Sequence, residues 1–125
     1  MSNKINILVV DDDPDIGEML KMMLEFAGYF VTFIKRADKM ITLLTAEDFQ
    51  LIVLDMLIAG DDGNEFCRQL KKTPRFASIP VLMFSAMPNG EQLAAAAGAE
   101  GFITKPFEMN AILKKVSSLV GTTTV

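Results

Sequence analysis

The sequence predicts an α/β fold: a five-stranded parallel sheet in a three-layer (βα)5 sandwich. Three observations predict it. Short apolar runs of strand length alternate with segments of helical periodicity five times over. The runs lack in-out polar alternation, as strands covered on both faces should. Glycine, proline and capping residues stand at the joins.

The first strand is Ile5-Asn6-Ile7-Leu8-Val9-Val10. Asp13 then caps a helix with Pro14 at its first position, where the missing N–H costs nothing. Ile16, Met19, Leu20, Met23 and Leu24 recur at helical spacing as its inward face, and Gly28 stops it. Phe30 to Ile34 is a second strand. Its Thr32 and polar flanks place it at a sheet edge. Asp38 to Ala46 is a short helix with Met40, Ile41 and Leu44 inward. Leu51 to Leu54 is a third, wholly apolar strand running into Asp55. A Gly/Asp loop leads to a helix over Asn64 to Lys72. Pro80 opens a fourth strand, Val81 to Phe84, ending at Ser85. Glu91 to Ala97 is a short Ala-rich helix closed by Gly98, and Gly101 to Thr104 is a fifth strand ending at Lys105-Pro106. Glu108 to Val120 is the last helix, with Ile112, Leu113, Val116 and Leu119 inward, and residues 122–125 read as a flexible tail.

With 125 residues the chain suits one domain. Histidine is absent, which excludes Ser-His-Asp and Cys-His triads, His-containing zinc sites and a phosphohistidine carrier. Any metal must be held mainly by oxygen, which favours Mg²⁺, Ca²⁺ or Mn²⁺. The net charge of −4 argues against a nucleic-acid surface, and Lys71-Lys72 and Lys114-Lys115 read as solvated helix faces. Cys67 has no partner for a disulfide, and its helical context reads as a buried, inert thiol. No apolar run approaches membrane-spanning length, and the N-terminus lacks a signal-peptide pattern. The expectation is a soluble cytoplasmic protein. The nine methionines read mostly as core fillers.

Strands alternating with helices connect by right-handed crossovers, and five units suit the flavodoxin-like strand order 2-1-3-4-5. All carboxyl ends then lie on one rim. Asp11, Asp12 and Asp13 follow strand one, Asp55 ends strand three, Ser85 strand four and Lys105 strand five. Strands one and three are neighbours at the topological switch point, where open α/β sheets bind ligands. Clustered carboxylates repel, and a hard divalent cation plus Lys105 would compensate them. Asp12, Asp55 and a backbone carbonyl just after Asp55 offer half of an octahedral Mg²⁺ shell, to be completed by waters and a phosphoryl oxygen. Asp55 is then placed as a nucleophile forming an aspartyl-phosphate.

Here the sequence resembles the response-regulator receiver domains of the CheY-like family. The resemblance rests on Ile7-Leu8-Val9-Val10-Asp11-Asp12-Asp13-Pro14, Leu51-Ile52-Val53-Leu54-Asp55, Asp62-Gly63, Ser85-Ala86 and Gly98 to Phe107, in that order and spacing. It covers nearly the whole chain and implies a receiver domain over residues 1–121. It also implies these roles. Asp55 is the phosphoacceptor. Asp12 binds Mg²⁺ directly, Asp11 directly or through water, and the Leu57 carbonyl is the backbone ligand. Ser85 and Lys105 contact the phosphoryl group, Lys105-Pro106 is a cis bond, and Ser85 with Phe102 forms the switch. The donor is a sensor histidine kinase or phosphotransfer protein. The output is a downstream effector protein, with no nucleic acid bound by this domain and no membrane. A homodimer through the face of the fourth helix, fifth strand and fifth helix stays open. So does the question whether the chain stands alone or is part of a longer protein. The protein would not be an enzyme beyond its own phosphorylation and dephosphorylation.

Three departures from the family stand out. Ile58-Ala59 replaces the usual Met-Pro pair, predicting a more flexible loop. The Ser85 to Gly98 segment is a little shorter, predicting a short fourth helix on the family's output face. Phe102 lacks a tyrosine hydroxyl. At the two positions that in the family influence the hydrolytic water stand Leu57 and Met87, both apolar, and the resemblance then implies a long-lived phosphoryl group. The alternatives are a haloacid-dehalogenase-like phosphatase, a flavin or nucleotide carrier and a phosphorylation-independent scaffold. The first lacks its second Asp at Leu57, and the second would find three aspartates where phosphate must sit. The scaffold is the remaining alternative.

Overall fold

The computed structural model describes residues 4–58 and 61–120. Residues 122–125, expected as a tail, and Ala59, half of the Ile58-Ala59 departure, lie outside them. The elements run β1 (Asn6–Val10), α1 (Pro14–Phe26), β2 (Phe30–Ile34), α2 (Met40–Ala46), β3 (Leu51–Asp55), β4 (Leu57–Ile58), β5 (Asp61–Asp62), α3 (Gly63–Lys72), β6 (Val81–Ser85), α4 (Gly90–Ala96), β7 (Gly101–Thr104) and α5 (Met109–Leu119). The main sheet has the order β2-β1-β3-β6-β7, all parallel. Counting the five long strands, this is 2-1-3-4-5.

Alternate residues of each central strand feed two cores. Leu8, Val10, Ile52, Leu54, Val81 and Met83 face the α2, α3 and α4 layer. Ile7, Val9, Leu51, Val53, Leu82 and Phe84 face α1 and α5. All twelve are fully buried, which is why the strands read as unbroken apolar runs. Each such side chain contributes about 1.5–3 kcal/mol by burial. At the edge, β2 is only half buried.

Local chemistry sets the ends. Asp13 Oδ1 accepts the Asp15 N–H at 2.9 Å and caps α1. Its C-terminus closes with Gly28 at φ 104°, the Gly28 N–H on Glu25 O and the Tyr29 N–H on Leu24 O, a Schellman pair.

Several expectations need correction. The second helix opens as a 3-10 turn over Ala37–Lys39, with no side-chain cap to set an α-helical start at Asp38. Ile41 is exposed, because Met40 and Leu44 define the buried stripe and Ile41 lies about 100° around the axis. Met19 is likewise exposed, beside the buried stripe of Leu20 and Leu24. Met22 and Met109 join it at the surface, while Met40, Met56 and Met83 are buried, so methionine serves both environments. Lys71 is not a solvated face: its ammonium donates to Ala77 O, Ile79 O and Glu100 Oε2. Cys67 is buried, and burial pushes its thiol up to about 11.

Candidate functional site

The carboxyl ends of β1, β3, β6 and β7 meet at one rim, and their register places the polar side chains side by side. Val10 pairs with Leu54, Asp55 with Phe84, and Ser85 with Thr104. Asp11, Asp12 and Asp55 each bring a carboxylate oxygen within 4.8 Å of the others. Lys105 reaches in from the end of β7, its Nζ 3.3 Å from Asp55 Oδ2 and 3.9 Å from Asp11 Oδ2. The same ammonium lies 4.8 Å from the Phe84 ring centroid, a cation–π contact that helps aim it. Phe107 braces that ring edge-on at 6.1 Å.

Asp55, Leu57, Ser85, Ala86, Met87 and Lys105 line a cavity of about 340 Å³. Ser85 is buried, and its Oγ accepts the Met87 N–H at 2.9 Å. Leu57 stands 62% exposed at the mouth, with its N–H directed at Asp55 Oδ1 at 3.3 Å. The Lys105–Pro106 peptide is cis, and the Lys105 N–H bonds Ser85 O at 2.9 Å.

Asp11 carries the strongest electrostatic tension. Burial raises its carboxyl to about 7, the Asp55 charge adds to the rise, and the Asp13 N–H and Lys105 oppose it. Its Oδ1 accepts the Asp13 N–H at 2.9 Å. Its Oδ2 is buried without a hydrogen-bond partner among the described residues. A dry carboxylate oxygen facing a second carboxylate fits a hard cation. Asp11, Asp12 and Asp55 supply the oxygen donors that Mg²⁺, Mn²⁺ or Ca²⁺ prefers.

The loop after Asp55 is ordered differently from a plain Gly/Asp loop. Leu57 pairs with Asp62 and Ile58 with Asp61, antiparallel. The Gly63 N–H closes the loop on Met56 O at 2.8 Å, and Asp62 Oδ1 caps α3 through the Asn64 N–H. A Cβ at Gly63 would collide with the backbone of Asp55 and Met56, so the loop folds this tightly only with glycine there.

Phe102 is partly buried against the α2/α3/α4 core. A Cβ at Gly90 would lie 2.7 Å from Phe102 Cζ and 3.4 Å from Ser85 Cβ. Phe102, Ser85 and the start of α4 therefore touch at one point. Sequence reasoning missed Gly90, since a glycine at a helix start looks ordinary until the ring over it is seen.

The chain has counterparts among known proteins. The family model "Response regulator receiver domain" matches residues 7–117. RpaA of Synechocystis sp., a DNA-binding dual master transcriptional regulator, is 34% identical over 116 residues, covering 91% of this chain and 48% of its own. The chain spans about half the length of the curated relatives it matches. A Chloroflexus aurantiacus crystal structure assigned as a response regulator superposes with TM-score 0.91 at 25% identity, covering 96% of this chain and all of the other. The receiver domain of a Syntrophus aciditrophicus signal-transduction histidine kinase superposes at 0.85 with 30% identity, covering 96% of each. A fold, a rim of convergent acids and a family match over residues 7–117 agree: the chain belongs to the response-regulator receiver domains of two-component systems.

Proposed function

We propose that Asp55 accepts a phosphoryl group from a sensor histidine kinase or phosphotransfer protein, and that the switched domain then regulates an effector protein. An Asp55 carboxylate oxygen attacks phosphorus, and the bond from phosphorus to the donor's histidine nitrogen breaks. That nitrogen keeps the bonding electron pair. Such transfer asks chiefly for positioning and charge neutralisation. Lys105 supplies a positive charge 3.3 Å from Asp55 Oδ2. Ser85 lines the same cavity and offers a hydroxyl there. Asp11, Asp12, Asp55 and the Leu57 carbonyl would hold Mg²⁺, which when bound neutralises the phosphoryl oxygens.

The observation that carries this reading is the convergence of Asp11, Asp12, Asp55 and Lys105 from three strand ends, with the buried Asp11 Oδ2 accepting no hydrogen bond among the described residues. The protein turns over nothing but its own aspartyl-phosphate. A dimer through α4, β7 and α5 is one route to output. Incubation with a small phosphodonor and Mg²⁺, followed by intact-mass measurement, tests the proposal. Wild type gains one phosphoryl group, and Asp55→Ala gains none. An equal gain in the variant refutes it.

A further inference from the structure

Away from the acid cluster, the carboxyl end of β2 and the outer face of α2 enclose an open groove of about 480 Å³. Its floor is Ile34 and Leu43, both half buried and packed on the core below. Its rim is Lys35, Arg36 and Lys39, all exposed. Arg36 is tied to Asp38 at 2.8 Å. Among the described residues, neither Lys35 nor Lys39 lies within ion-pair distance of a carboxylate. Residues 35–39 thus hold three cations and one anion, on a chain whose net charge is −4.

We propose that this groove docks an acidic segment of a partner protein, with apolar side chains seated on Ile34 and Leu43 and flanking carboxylates meeting Lys35 and Lys39. The charge pattern selects both the partner and the place. An acidic segment meets a chain of net charge −4, and a local cationic rim captures it here. The floor excludes a simple phosphate site, because it presents side-chain carbon where a phosphate needs donors. Three cations are also too few for a nucleic-acid track. The inference does not depend on phosphoryl transfer to Asp55.

The test is amide chemical-shift mapping on the full chain. The probe is a short synthetic peptide of glutamates carrying three leucines at helical spacing, and its control has every glutamate replaced by lysine. The glutamate peptide should give saturable shifts centred on Ile34, Lys39 and Leu43 that weaken with added salt. The lysine peptide should give none. Lys35→Glu with Lys39→Glu should weaken binding by about tenfold or more. Both side chains are exposed, and unchanged β3 amides would confirm that the variant folds. The proposal is overturned by an absence of shifts, by equal binding of the lysine peptide, or by shifts centred on α1 or α4. It is also overturned if groove amides shift with protein concentration alone and the chain sediments as a dimer. The occupant would then be a second copy, whose α1 carries Asp15, Glu18, Met19 and Met22.

Discussion

Asp11 and Asp55 sit together with one ammonium between them, and this sets how the site responds to pH. The Asp11 carboxyl titrates near 7 in the folded chain and near 3.8 when unfolded. Between those values the folded state binds the extra proton, so metal-free stability falls as pH rises from about 4 to about 7. Mg²⁺ binding wants the ionised form. The increase in Tm on adding Mg²⁺ should therefore be larger at pH 7 than at pH 5, and thermal melts with and without the ion check this. An increase that shrinks towards pH 7 would contradict it. Leu57 and Met87 pose a second residue-scale question. Both line the cavity beside Asp55, and neither can hydrogen-bond a water. Leu57→Asn combined with Met87→Glu should shorten the phosphoryl lifetime severalfold, followed by intact mass over time. An unchanged decay would remove these positions from the account. Asp12, Asp55, Ser85 and Lys105 were legible as site candidates because each follows an apolar strand. Lys71 was misread, since its partners at Ala77, Ile79 and Glu100 become neighbours only on folding.

Elements are joined by contacts that local pattern does not announce. Lys71 on α3 holds the Ala77 and Ile79 carbonyls at 3.2 and 2.7 Å and Glu100 Oε2 at 2.8 Å. The other Glu100 oxygen accepts the Val81 N–H at 2.8 Å. One side chain thus ties α3, the start of β6 and the entry to β7. Lys71→Met keeps the aliphatic stem and orphans these acceptors, so it should cost about 1–3 kcal/mol, read from urea midpoints. A second test separates propensity from packing. Replacing Gly90 by alanine at the start of α4 should help on helix propensity alone. The ring of Phe102 leaves no room for the added methyl, so Gly90→Ala should instead destabilise by about 1–3 kcal/mol. Phe102→Leu in that background should recover much of the loss. A more stable Gly90→Ala would show that the ring yields freely. The elements themselves were legible from periodicity and caps. The β4–β5 pairing was not, because two-residue strands have no periodicity to read.

At the scale of the molecule, parallel order turns dispersed sequence into one site. Residues 11 and 12, 55, 85 and 105 come from four separate stretches of the chain, yet four strand ends bring them to one rim. That convergence followed from alternation alone, since every strand in a parallel sheet ends on the same side. What alternation could not supply was the close approach at Gly63 and Gly90, which is set by how loops and helices settle on the sheet. Among the described residues no helix is long and apolar enough to cross a membrane. The most direct measurement is chemical trapping: the chain is treated with a small phosphodonor and Mg²⁺, reduced with borohydride, digested and sequenced by mass spectrometry. Conversion of Asp55, and no other aspartate, to homoserine is the predicted result, lost when Mg²⁺ is chelated. Conversion at Asp11 or Asp12, or at Asp55 without need of a divalent ion, would contradict the account.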